Sequence, residues 1–113
     1  MKKLIIALFC GAASMSAIAG GNIANGQALV KTQNCASCHG ADFNKPLDPS
    51  YPKLAGQHAK YLEHALRAYK RGDGPNGRNN VIMMTQVKQL SDDDLVDIAA
   101  YLHSLPSDLV LKR

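Results

Sequence analysis

The chain has no tryptophan, and only two phenylalanines and four tyrosines among 113 residues. One of the phenylalanines, Phe9, lies in an N-terminal leader. A chain of this length forms one domain at most. One so poor in large aromatics has little with which to fill a core of its own. Long apolar runs are also missing. Leu4 to Phe9 is well short of the ~20 residues that span a bilayer. Lys2 and Lys3 before it, and Ala17-Ile18-Ala19 after it, have the form of a secretory signal cut after Ala19. Residues 1–19 are therefore expected to be removed, leaving 20–113 as a single exported domain with no membrane anchor. Bulky Phe9 in front of Cys10 argues against lipidation there. Strand-like alternation and internal repeats are absent, which points to an all-α chain. No basic stripe carries interleaved aromatics, which excludes nucleic acid as a partner. The formal charge of +4 falls to +2 once Lys2 and Lys3 leave eleven basic residues against nine acidic ones.

Cysteine is scarce too: of three, Cys10 leaves with the signal. The other two stand in Cys35-Ala36-Ser37-Cys38-His39, a C-x-x-C-H pentapeptide, the attachment signal of a c-type haem. Two thiols three positions apart on one turn can each add to a vinyl group of a single porphyrin. The adjacent imidazole then lies under the iron. One haem c would also supply the core volume that the side chains lack. The remaining alternatives for the two thiols are a dithiol redox site, which needs a strand–helix–strand setting, and a zinc site, which needs a fourth ligand.

Three helices are expected in order. Asn22 caps Ile23 to about Thr32, and Gly26 inside this helix implies a close crossing by another. Gly40 to Pro52 reads as loop. Gln57 to Arg71 carries Tyr61, Leu62, Ala65, Leu66 and Tyr69 on one face, with Lys60, Glu63, Arg67 and Lys70 opposite. Residues 72–90 read as a second long loop covering a ligand, with Met83 and Met84 near its end. Ser91-Asp92-Asp93-Asp94 starts the last helix, which Pro106 stops near Leu105. Leu95, Ile98, Ala99 and Leu102 form its buried stripe. The tail from Ser107 is expected to be mobile.

Taken in order, Gly26-Gln27-Ala28, Cys35-Ala36-Ser37-Cys38-His39-Gly40, Tyr51-Pro52-Lys53-Leu54-Ala55-Gly56-Gln57, a methionine ahead of Leu90-Ser91-Asp92, and Ala99-Ala100-Tyr101-Leu102 resemble the class I c-type cytochromes. Within that family the likeness is to the small bacterial periplasmic mono-haem electron carriers. The resemblance covers essentially the whole exported part. It implies the cytochrome c fold, three main helices and long loops wrapped round one haem. It implies thioethers at Cys35 and Cys38, His39 as proximal iron ligand, and Pro52 as the carbonyl acceptor for that imidazole. Gly26 and Tyr101 would match the crossing of first and last helices, with the ring over the glycine. The sixth ligand would be a methionine seven positions before Leu90, which is Met83; Met84, one position off, is the second candidate. A thioether favours the ferrous state more than a second imidazole does, so a positive midpoint potential is expected.

Arg78 is a candidate partner for a haem propionate. His58, His64 and His103 are expected to face solvent. Lys31, Lys45, Lys53 and Lys60 could help dock a redox partner. The function expected is outer-sphere electron transfer in the periplasm by a monomer that is not itself an enzyme, exchanging electrons with redox proteins. The alternatives are the cytochrome subunit of a periplasmic dehydrogenase, and a haem protein that binds ligands or catalyses at an open sixth position.

Overall fold

The computed structural model describes residues 20–108, together with Gly11. The expected signal sequence and cleavage point therefore lie outside the described residues. Among the described residues five helices follow in order: α1 (Ile23–Thr32), α2 (Ala36–His39), α3 (Ala59–Arg71), α4 (Val81–Val87) and α5 (Asp92–Ser104). Among the described residues there is no strand.

Local chemistry sets most of the boundaries. Asn22 caps α1 by accepting from the Asn25 amide at 2.9 Å. Asn34, at φ 55°, turns the chain out of α1 and into the single turn of α2. At the end of α3, Gly72 takes φ 67° and donates its N–H to the Ala68 carbonyl at 3.1 Å. Such a left-handed stop costs glycine little and most side chains 1–2 kcal/mol or so. The start of α5 is a full capping box. The Ser91 hydroxyl accepts from the Asp94 amide at 3.1 Å, and the Asp94 carboxylate accepts from the Ser91 amide at 3.0 Å. All three aspartates of its first turn complement the helix dipole.

The second loop differs from expectation. Its last part folds into α4, a seven-residue helix capped by Asn80. Two smaller corrections concern α3: His58 is its N-cap rather than a member of the helix, and Glu63 is not on an exposed face. The Glu63 side chain is 3% exposed, covered by Lys60 at 3.1 Å and Arg67 at 3.5 Å. The tail is also tied further than expected. Asn44 donates to the Pro106 carbonyl at 2.9 Å and accepts from the Asp108 amide at 2.9 Å.

The core is built on α5. Leu95, Ile98, Ala99 and Leu102 are buried, joined by Val30 of α1, Leu62 of α3, Val87 of α4 and Leu90. Helix α5 packs on α1 and on α3, and α4 packs on α3. At the α1–α5 crossing, a Cβ on Gly26 would lie 2.0 Å from the Asp97 carbonyl oxygen and 2.8 Å from Tyr101 Cβ. It is therefore the backbone of α5 that needs the glycine. Tyr101 thus stands at the crossing with Gly26, and its ring lies edge-on to Phe43, with centroids 6.4 Å apart. Asp97 clamps the same crossing by accepting from the Asn22 amide and the Asn25 side chain, each at 2.7 Å.

A glycine merely tolerated in a helix gains about 1 kcal/mol when replaced by alanine. Here the opposite sign is expected. Gly26→Ala should lower the thermal midpoint by about 5–15 °C, the effect of overpacking by ~1–3 kcal/mol in a domain of this size. Circular dichroism melts of wild type and variant decide between the two signs.

Candidate haem site

The site is a cleft with two lobes. The larger, about 410 Å³, is bounded by the loop 50–54, by α3, and by Arg78, Asn80, Ile82 and Met83. The smaller, about 70 Å³, is bounded by the end of α1, by α2, and by Met83, Val87, Ile98 and Leu102. Cys38, His39, Leu54, Leu66, Ile82, Met83 and Leu102 line both. A mostly apolar concavity with a few convergent polar groups is the usual form of a cofactor site.

One wall is α2. His39 is buried, and its Nδ1 stands 3.0 Å from the Pro52 carbonyl oxygen. A carbonyl only accepts, so Nδ1 carries the proton and Nε2 keeps its lone pair. The ring is thus held in the tautomer a metal ligand requires, by an acceptor of the kind that commonly orients ligating imidazoles. Cys38 lines both lobes and Cys35 the smaller one. Burial pushes the Cys35 thiol pKa up, with a smaller contribution from Cys38; a backbone hydrogen bond opposes this. Dithiol redox catalysis needs the reverse, a thiolate stabilised near neutral pH. Backbone bonds fix the turn: the Cys35 amide donates to Val30 O at 3.0 Å, and the Leu47 amide to Cys38 O at 2.9 Å.

The facing wall is α4. Met83 lines both lobes, whereas Met84 lines neither. The Met84 methyl occupies the space beside Gly72, 2.7 Å from where a glycine Cβ would be. Of the two methionines, Met83 alone is presented to the cleft.

Arg78 borders the larger lobe. Its guanidinium lies 5.4 Å from the Tyr69 ring centroid and 5.8 Å from that of Tyr61. It donates to Tyr61 Oη at 3.4 Å, and its main-chain amide donates to Ala68 O at 2.9 Å. Hydrogen bonds to Tyr61 and then Tyr69 raise its pKa, so it is a fixed positive charge at the rim. Lys53 also borders this lobe; Lys31, Lys45 and Lys60 are exposed. His58, His64 and His103 are exposed and line neither lobe. His103 Nδ1 is paired with the Gln57 carbonyl at 2.8 Å.

Tyr61, Tyr69 and Asn80 also border the larger lobe, and nothing in the sequence reading assigned them to a site. The tyrosines stood there only as part of an apolar face. Their eight-residue separation, about two helical turns, was the available signal. The donor set suits a c-type haem: two thiols and an imidazole nitrogen on one wall, a soft thioether on the other, and apolar side chains between them.

The cytochrome c family model matches residues 23–106. Cytochrome c-554(548) of Halomonas halodenitrificans is 45% identical over 85 residues, covering 74% of this chain and 96% of that protein. Cytochrome c4 of Pseudomonas aeruginosa is 43% identical over 107 residues, covering 92% of this chain and 49% of that one. The chain thus spans about half the length of its cytochrome c4 relatives. The crystal structure of reduced recombinant cytochrome c4 from Pseudomonas stutzeri superposes with a TM-score of 0.67 at 40% identity, over 77% of this chain and 47% of that one. By sequence, by fold and by the make-up of its cleft, the chain belongs to the cytochrome c family, whose work is haem-based electron transfer.

Proposed function

We propose that the chain is an exported, periplasmic, monomeric electron carrier that is not itself an enzyme. In this reading 20–113 is the working domain and 1–19 the cleaved signal. One haem would be held by Cys35 and Cys38 through thioethers, with His39 and Met83 as the residues that would ligate its iron. The observation that carries the reading is the convergence of these four side chains on one apolar cleft, with Met84 directed elsewhere. No helix among the described residues is long and apolar enough to cross a membrane.

When bound, the haem supplies a one-electron ferric–ferrous couple. The chain's own residues do the rest. Cys35 and Cys38 would hold it through thioethers, each thiol adding across a vinyl double bond so that sulfur gains a carbon and the vinyl group the thiol hydrogen. The Pro52 carbonyl keeps the His39 proton on Nδ1 and so keeps Nε2 basic. Met83 brings a neutral, soft donor that favours the reduced state. Leu54, Leu66, Ile82 and Leu102 exclude water from the space between the ligands. Arg78, held by Tyr61 and Tyr69, would pair with a propionate at the rim, where a guanidinium fits a carboxylate. Electron donors and acceptors are redox proteins that approach the rim.

One relative favours a second setting for the same chemistry. A thiosulfate dehydrogenase electron acceptor of Stutzerimonas stutzeri is 36% identical over 73 residues, 65% of this chain and 32% of that one. The domain would then accept electrons from a dehydrogenase rather than carry them freely.

A redox-titrated visible spectrum of the haem-loaded protein tests the ligand set. Wild type and Met84→Ala should show a low-spin ferric spectrum with the sulfur–iron band in the red. Met83→Ala should lose that band and turn high-spin, with a lower midpoint potential. The converse pattern would move the ligand to Met84. A separate test reads the attachment. Acidified organic solvent should extract no haem from wild type. Cys35→Ala and Cys38→Ala should each keep one thioether, visible as a shifted band of the reduced haem, and the double variant should release all of its haem.

A further inference from the structure

Helix α4 is short: seven residues carrying no acidic side chain in the first turn and no basic one in the last. Alone, so short a helix does not persist in water. Its start is fixed by one residue. Asn80 is extended, at φ −143° and ψ 111°. Its side-chain oxygen accepts from the Met83 amide at 3.0 Å. Its carbonyl accepts from the Met84 amide at 2.8 Å. Asn80 borders the cleft beside Met83. Two residues earlier the chain is anchored by the Arg78 amide bond to Ala68 and by the two tyrosine rings. Asn80 thus joins a fixed point of the rim to the backbone of the residue that faces the cleft.

We propose that Asn80 is a positioning residue for the axial thioether, holding the Met83 backbone so that its sulfur stays on the iron. The inference rests on Met83 being the sixth ligand. The Met83 amide is among the first N–H groups of α4, which have no partner within the helix. Asn80 supplies that partner and with it the direction in which Met83 leaves the backbone. Met84, the next residue of the same turn, is seated beside Gly72. Without the cap the first turn frays and the thioether competes less well with an added ligand.

The test is titration of the ferric, haem-loaded protein with imidazole, followed by loss of the sulfur–iron band. Thermal melts are run beside it. Losing an asparagine cap costs ~1 kcal/mol, a factor of about five in an equilibrium. Asn80→Ala should therefore bind imidazole about fivefold more tightly than wild type. Asn80→Ser, which can still accept from the Met83 amide, should stay within twofold of wild type. Asn80→Gln, whose amide is one methylene too far, should follow alanine. The proposal is overturned if alanine and glutamine variants bind imidazole as wild type does, or if serine behaves as alanine. A fivefold change that tracks only a lowered global melting temperature, reproduced by Gly26→Ala at the distant crossing, also overturns it. Loss of the band in Met84→Ala rather than Met83→Ala would remove the ligand reading itself. Loss in Met83→Ala with an unresponsive Asn80→Ala would remove the positioning role alone.

Discussion

Backbone contact between α1 and α5 at Gly26 is the constraint from which the rest of the molecule follows. With no side chain between them, the Asp97 carbonyl can approach the first helix directly, and Asp97 can reach both Asn22 and Asn25. This sets the position of α5. Helix α5 in turn presents Leu95 and Ala99 to the core, and Ile98 and Leu102 to the floor of the cleft. Helix α3 packs on α5, and α4 packs on α3. The placement of Met83 is therefore several packing steps removed from the crossing, while Cys35 and His39 follow immediately on the end of α1. The two walls of the cleft are fixed by different means.

The α2 wall is held by main-chain bonds. Cys35 and Leu47 amides, and the Leu54 and Ala55 amides that both donate to Phe43 O, tie the turn to its loop, and Pro52 holds the imidazole. The α4 wall is held by fewer and more exposed contacts: the Asn80 cap, the Thr85 hydroxyl on Val81 O at 2.8 Å, the Lys70 ammonium on Leu90 O, and the burial of Val87. Val81 and Ile82 are exposed on the same short helix. Local opening is cheapest where buried contacts are few. On the proposed coordination, the iron–sulfur side is the one that exchanges first, and the imidazole side is the one that persists.

What could be read in the sequence was what is chemically local. The pentapeptide, the Asn22 cap and the Ser91–Asp94 start depend on residues within a turn of one another, and each stands where the residues placed it. Pro52 was indicated by resemblance, and the structure brings its carbonyl to His39. Helix α4 was not legible, because its seven residues follow a glycine- and asparagine-rich stretch and its apolar residues do not form a buried stripe. With α4 unseen, Met83 and Met84 could be separated only by counting. Adjacent residues on a helix differ by about 100° in direction, so once α4 exists the two must face different ways. The Asn44 bonds to Pro106 and Asp108 span more than sixty positions, and no local pattern announces such a contact. Tyr101 was placed at the correct crossing, but the need for a glycine came from the Asp97 carbonyl, which is not a side chain and leaves no trace in composition.

The weakness of α4 and the strength of an iron–sulfur bond belong to one equilibrium. A helix of this length gains most of its stability from what it packs against. On the proposed coordination Met83 is bound only when α4 is formed, so ligation stabilises the helix and the helix stabilises ligation by the same free energy. The ferrous state, which holds a thioether more firmly, must then also hold α4 more firmly. Reduction would order the exposed Val81–Ile82 edge, and oxidation would loosen it. The His39 wall depends less on ligation, since the Pro52 carbonyl on His39 and the Leu54 and Ala55 amides on Phe43 O hold it within the chain itself. On the proposed coordination the cleft has one wall fixed by the chain and one completed by ligation, and the mobility of the α4 edge would follow the oxidation state of the iron.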